Sequence, residues 1–303
     1  MFIRRNMSKI KHQKFTNSIV AIVTPFCEDR VDEKALEKLI EFQIQNGTSG
    51  IVPCGTTGES ATLSMEEHKM VVEIVVQKVR GRIPIIAGTG SNNTKEAIEL
   101  TSHAKDVGAD AVLLVAPYYN RPTQNGLYEH FKTISESVNI QSIIYNIPSR
   151  TGVNIEPDTM AKIAGLKNVI GVKEASGNLD QMSRIIAACP KDFIFLSGDD
   201  GLTLPVMSIG GKGVISVAAN IVPKDISQMV TAFNKQDIQK AIRIHYHLLP
   251  LLRVLFIETN PIPVKTAMVL MRLIKEGIRL PLTRMSEQNF AKLKQVMYEY
   301  GLI

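Results

Sequence analysis

The segment GVKEASGNLD, residues 171–180, ends the apolar run 168–172 on a lysine, Lys173, with glycine and serine close behind. The run reads as a buried strand that stops at a loop. Such strands seldom end on an ammonium, which loses its hydration there. A lysine in that setting has a chemical use. Burial disfavours its charge and lowers its pKa. The neutral amine then attacks a carbonyl to form a Schiff base, and the iminium acts as an electron sink for a neighbouring C–H bond. The carbon nucleophile so made needs a proton relay and a hold on its partner. Tyr145 and Thr56 suit the relay, a phenol to shuttle the proton and a hydroxyl to position it. Arg150 offers a planar fork for a carboxylate. Singly, each has a plainer reading: Lys173 as half of an ion pair, Arg150 as a solvated charge, Tyr145 as a packed aromatic, and Thr56-Thr57 as a turn.

These groups need elements that bring them together. Short runs, mostly of valine, isoleucine and leucine, recur at 18–23, 50–54, 84–88, 111–116, 141–146, 168–173, 193–197 and 213–217. Most are apolar at consecutive positions, as in parallel strands covered on both faces. Helical patterns lie between and after them, at 32–45, 64–79, 93–107, 124–138, 156–164, 178–189, 202–209 and 223–233. Ser64 and Glu67 form a capping signature at the second of these helices. Eight strands each followed by a helix spell an α/β chain of (β/α)₈ TIM-barrel type. The rival open sheet is disfavoured because no glycine fingerprint follows the first strand. Residues 17–234 are expected to form the barrel, 235–303 a C-terminal helical appendix, and 1–16 a basic disordered tail. In a barrel, chemistry gathers at the carboxyl ends of the strands. There the sequence places Thr56 and Thr57, Tyr118 and Tyr119, Tyr145, Arg150, Lys173, Gly198 and Asp199-Asp200. The aspartate pair reads as a helix start rather than a metal site.

Other chemistries are poorly supported. The histidines lack metal-site spacing, and the stretch 210–213 lacks the Ser/Thr of a P-loop. The formal charge of +6 is concentrated in residues 1–14, which hold five bases and no acid; the remainder has 30 bases against 29 acids. That near-neutral body argues against a nucleic-acid partner. No apolar run is long enough for a membrane span, and the basic leader lacks an apolar signal core. Three cysteines without a CxxC pair suit a reducing cytoplasm, read as three buried small hydrophobes.

The motifs GTTGESATLS (55–64), AGTGSNNTKEAI (87–98), PYYNRPTQNGLYEHF (117–131), YNIPSRTG (145–152), GVKEASGN (171–178), LSGDD (196–200), GGKGVISVAAN (210–220) and NPIPVK (260–265) occur in one order. From about Asn17 onward the chain resembles the dihydrodipicolinate synthase family of pyruvate-dependent Schiff-base aldolases. The resemblance implies a lyase that condenses pyruvate with L-aspartate 4-semialdehyde in lysine and diaminopimelate biosynthesis, with no cofactor or metal. It makes Lys173 the Schiff-base residue and Tyr145, Thr56 and Tyr119 the relay, Tyr119 coming from a neighbouring subunit. Thr57 and the backbone at Ile215 would hold pyruvate, with Gly198 nearby, and Arg150 would bind the carboxylate of the second substrate. It further implies a homotetramer built as a dimer of dimers, and L-lysine as an inhibitor at Ser60, Ala61, His68, Asn92, Glu96 and Tyr118. Met65 departs from the histidine often found in lysine-sensitive members. N-acetylneuraminate lyases and keto-deoxy-sugar-acid aldolases share the lysine, but GTTGE and the arginine of YNIPSRTG favour the synthase. A non-catalytic ligand-binding barrel would be expected to lose a relay residue, and none is lost.

Overall fold

A computed structural model describes residues 13–303. Eight strands form one all-parallel sheet: β1 (Asn17–Ala21), β2 (Gly50–Val52), β3 (Ile86–Gly88), β4 (Ala111–Val115), β5 (Gln141–Asn146), β6 (Val169–Glu174), β7 (Ile194–Ser197) and β8 (Gly213–Ser216). The order is β2-β1-β8-β7-β6-β5-β4-β3. A parallel bridge between Ile51 and Ile85 joins the two end strands and closes the barrel. Helices follow the strands: α1 (Glu33–Gln45), α2 (Met65–Val79), α3 (Thr94–Asp106), α4 (Gln124–Ser137), α5 (Pro157–Ala164), α6 (Leu179–Ala188), α7 (Thr203–Ser208) and α8 (Pro223–Asn234). Three more complete the chain: α9 (Ile238–Val254), α10 (Ile262–Leu270) and α11 (Glu287–Tyr300).

Strand alternation divides the core in two. Ile19, Ala21, Val52, Ile86, Leu113, Ile143, Tyr145, Leu196 and Ile215 fill the barrel interior. Val20, Ile51, Val112, Ile144 and Val172 pack on the helical ring. That is why the strands read as continuous apolar runs. The helices start where their side chains can cap: Asp32 accepts from the Ala35 N–H, Thr123 from Gly126 and Asn178 from Gln181. At α2, Ser64 and Glu67 form the reciprocal capping box.

Three expectations need adjustment. Residues 1–12 of the expected tail lie outside the described residues. Within its last four, Gln13–Phe15 forms a 3₁₀ turn, and Phe15 is fully buried against the barrel interior. Of the cysteines, only Cys54 is buried; Cys27 and Cys189 are partly exposed. A small hairpin, Phe26–Cys27 with Arg30–Val31, was not foreseen. Its turn carries positive φ at Glu28 and Asp29 without the glycine that usually marks such turns. None of the described helices is long and apolar enough to cross a membrane.

Candidate active site

Lys173 lies at the carboxyl end of β6, in register with Tyr145 at the end of β5. Both are buried, and the lysine amine sits 4.1 Å from the centre of the tyrosine ring. Among the described residues no carboxylate hydrogen-bonds this amine. Burial pushes its pKa down to about 7; Asp200 opposes that shift electrostatically and Arg150 adds to it. Much of the amine is therefore uncharged near neutrality, as nucleophilic attack requires. Burial pushes the Tyr145 phenol up to about 12, against the pull of Arg150 and a hydrogen bond with Thr56. The phenol thus keeps its proton and can pass it on.

Thr56 and Thr57 lie in the loop after β2, wound tightly by Gly58 N–H to Gly55 O and Glu59 N–H to Thr56 O bonds. Glu59 takes the left-handed conformation there, with φ +53°. Arg150 sits on a single helical turn, Pro148–Thr151, beyond β5. Ile215 is buried in β8 and faces the barrel interior. Gly198 follows β7, and its lack of a side chain matters. A Cβ there would lie 3.1 Å from Lys173 Cε and 2.8 Å from Ala175 Cβ, filling the space beside the amine. A cleft of about 550 Å³ opens over this end, lined by Ile147, Arg150, Gly198, Leu249, Arg253 and Phe256.

The residues singled out in the sequence separate into three groups. Lys173, Tyr145, Thr56, Arg150, Gly198 and Ile215 gather around the carboxyl end of the barrel, and Thr57 is 2 % exposed beside Thr56. Tyr119 stands apart: it is 89 % exposed with φ +72° at a loop tip, and no hydrogen bond joins its phenol to the relay within this chain. The remaining residues are spread over the turn after the threonine loop, the helices α2 and α3, and the loops before α3 and α4. Asn92 donates to the Tyr118 carbonyl, and Asn120 donates to the Asn92 carbonyl. The Glu96 carboxylate accepts from Ser91 and Asn93, and buried His68 bonds the Gly88 carbonyl. Ser60 and Ala61 form a 3₁₀ turn after the threonine loop.

Further residues near the mouth make contacts that their sequence does not show. Asp199 and Asp200 stand at a helix start, as read, but their side chains divide. Asp199 caps the turn by accepting from Gly201 N–H, whereas Asp200 is buried and accepts from Val217 and Ala218 N–H beyond β8. Glu174, fully buried beside Lys173, accepts from Asn146 and from Ser176 N–H. Asn260, from the C-terminal region, donates to Thr57 Oγ1 at 3.0 Å and accepts from Arg150 at its carbonyl, also at 3.0 Å. Only the NPIPVK motif hinted at this residue, and the motif does not reveal its contacts. Among the described residues no His, Cys, Asp and Glu cluster could hold a metal.

A buried amine paired with a phenol, under a cleft with a guanidinium, suits Schiff-base chemistry on a keto acid. The sequence profile of the dihydrodipicolinate synthetase family matches residues 14–299. The chain belongs to that family. It is 60% identical to the 4-hydroxy-tetrahydrodipicolinate synthase of Syntrophus aciditrophicus, over 95% of this chain and 99% of the relative. The crystal structure of dihydrodipicolinate synthase from Aquifex aeolicus superposes with a TM-score of 0.94 at 54% identity, covering 95% of this chain and 99% of that one. A family structure from Cyanidioschyzon merolae with lysine bound gives 0.93 at 41% identity, covering 96% and 99%. The family's (β/α)₈ barrel is thus the fold expected from the strand-and-helix alternation, helical appendix included.

Proposed function

We infer that the chain condenses pyruvate with L-aspartate 4-semialdehyde to 4-hydroxy-tetrahydrodipicolinate, as a lyase of lysine and diaminopimelate biosynthesis. The observation that carries this is Lys173, buried and, among the described residues, without a hydrogen-bonded carboxylate, beside Tyr145 and next to Gly198, which lines the Arg150 cleft. The neutral amine adds to the pyruvate keto carbon and water leaves, giving the iminium. A methyl proton is lost and the resulting enamine attacks the aldehyde carbon of the second substrate, whose oxygen takes a proton. Tyr145 and Thr56 carry these protons, with Tyr119 supplied by a neighbouring copy completing the relay. Thr57 and the Ile215 backbone hold pyruvate, with Gly198 leaving space. Arg150 pairs with the semialdehyde carboxylate. The semialdehyde amine then closes the ring on the iminium carbon and releases Lys173.

The working form in this reading is a cytoplasmic homotetramer, a dimer of dimers, needing no cofactor beyond the covalent link to substrate. The exposure of Tyr119 supports its use across a subunit boundary. L-Lysine inhibits from a pocket formed by Ser60, Ala61, His68, Asn92, Glu96 and Tyr118, weakened by Met65, whose thioether is a poor hydrogen-bond partner. That a family member binds lysine supports a lysine site in this chain, though not its residues. Borohydride reduction in the presence of pyruvate, followed by peptide mass mapping, tests the central step. A label on Lys173 is expected; a label on another lysine, or none on active protein, overturns the mechanism. Efficient cleavage of N-acetylneuraminate would overturn the choice of substrate.

A further inference from the structure

We propose that Asn260, outside the barrel, is a positioning residue that makes the Thr57 hydroxyl a hydrogen-bond donor to the pyruvate carboxylate. The idea rests on Thr57 belonging to the pyruvate site. A hydroxyl has one hydrogen and two lone pairs. In a buried Thr57, one lone pair takes the Asn260 Nδ2–H at 3.0 Å. No protein acceptor among the described residues receives the Thr57 hydrogen. That hydrogen is therefore available to a substrate carboxylate, which only accepts.

The structure turns the amide nitrogen, not the oxygen, toward Thr57. Asn260 Oδ1 is buried and has no partner. Turning the amide over would place a two-hydrogen donor there instead, also without an acceptor. As placed, one Nδ2 hydrogen is on Thr57 and the other is free beside Oδ1; turned over, both hydrogens would be free and the Thr57 hydrogen would be spent on Oδ1 rather than left for a substrate carboxylate. The backbone fixes the residue from both sides. The Asn260 carbonyl accepts from Arg150, and Lys265, five residues on, donates to Thr24 O and Glu59 around the same threonine loop. The C-terminal region thus reaches the pyruvate side through a side chain and the semialdehyde side through a carbonyl.

Substitution separates this role from simple packing. Asn260→Asp nearly preserves shape but replaces a donor with an acceptor, which captures the Thr57 hydrogen and sets a negative charge near the substrate carboxylate. Asn260→Leu removes the polarity alone. We expect KM for pyruvate to rise about three- to tenfold in Asn260→Leu and about thirtyfold or more in Asn260→Asp, with kcat at saturating pyruvate within about twofold in Asn260→Leu. In a Thr57→Val background, Asn260→Leu should change KM by less than about twofold, because the hydroxyl it positions is gone. An aspartate variant no worse than the leucine variant, or independent effects of Asn260→Leu and Thr57→Val, would falsify the role. The leucine–valine cycle decides alone where the charged variant does not fold. Pyruvate labelling of the unsubstituted chain is measured alongside: its failure at Lys173 sinks the activity reading, whereas normal labelling with independent effects sinks only the role of Asn260.

Discussion

Lys173 and Lys265 are both buried, at 6 % and 3 % exposure, and both amines lie over an aromatic ring, Tyr145 at 4.1 Å and Phe26 at 4.3 Å. Their remaining partners differ. Lys265, in α10, donates to Glu59 and to the Thr24 carbonyl, and Glu59 also accepts from Arg279 N–H. Burial lowers its pKa, but the Glu59 carboxylate pulls back toward the charged form. Lys173 has no such contact and falls to about 7. Burial alone does not make an amine reactive; burial without a contacting counter-ion does. The same side chain is a clasp at the seam between barrel and appendix and a nucleophile at the mouth.

Exchanging each lysine for methionine tests that contrast most strongly. Lys173→Met should lose at least about 10⁴-fold in turnover, the scale on which removal of a covalent nucleophile acts, with little loss of stability. Lys265→Met leaves Glu59 buried and unpaired, at a cost of about 3–5 kcal/mol in urea denaturation. The folded fraction of that variant should still trap pyruvate at Lys173. Loss of trapping at full stability would erase the distinction between the two amines.

Removing the phenol beside Lys173 comes next. Tyr145→Phe should lower kcat by about 10²–10⁴-fold, the usual worth of a positioned proton donor, while the melting temperature stays close to that of the parent. An unchanged kcat would leave Tyr145 as ring packing only.

Arg150→Ala is expected to cost about 1.5–3 kcal/mol in kcat/KM for the semialdehyde, the worth of a hydrogen bond to a charged group. Pyruvate trapping should survive, somewhat slowed near neutrality, because burial is the main cause of the low Lys173 pKa and Arg150 only adds to it. If trapping fails while semialdehyde binding persists, the guanidinium has another task.

The smallest effect is in pH. With a pKa of about 7, the Lys173 amine is mostly neutral above that value and increasingly protonated below it. The initial rate of pyruvate trapping should be nearly flat above about pH 8 and fall toward tenfold per unit below about pH 6. A rate still climbing tenfold per unit between about pH 8 and pH 10 would mean an ordinary lysine pKa and remove the distinction from Lys265.

Much of the site was legible because reactive residues followed apolar runs. Gln141–Asn146 is a strand with the bounds read from its pattern, and Lys173, Tyr145 and Arg150 meet where a barrel would bring them. What the sequence could not divide had no local signal. Asp199 and Asp200 are neighbours of one residue type, yet one caps a turn and the other is buried against the end of β8. Glu59 follows Gly58 in a turn, and only tertiary packing brings Lys265 to its carboxylate.

By itself the sequence determined the eight strands, the helices between them and the residue types at the strand ends. Periodicity, caps and turn residues are properties of near neighbours along the chain. Tertiary structure decided which buried lysine kept a counter-ion, that Asn260 spans 203 residues to reach Thr57, and that Tyr119 stands outside the chain's own relay. Those outcomes depend on which groups become neighbours after burial and on what desolvation leaves unpaired, and neither quantity exists until the chain has folded.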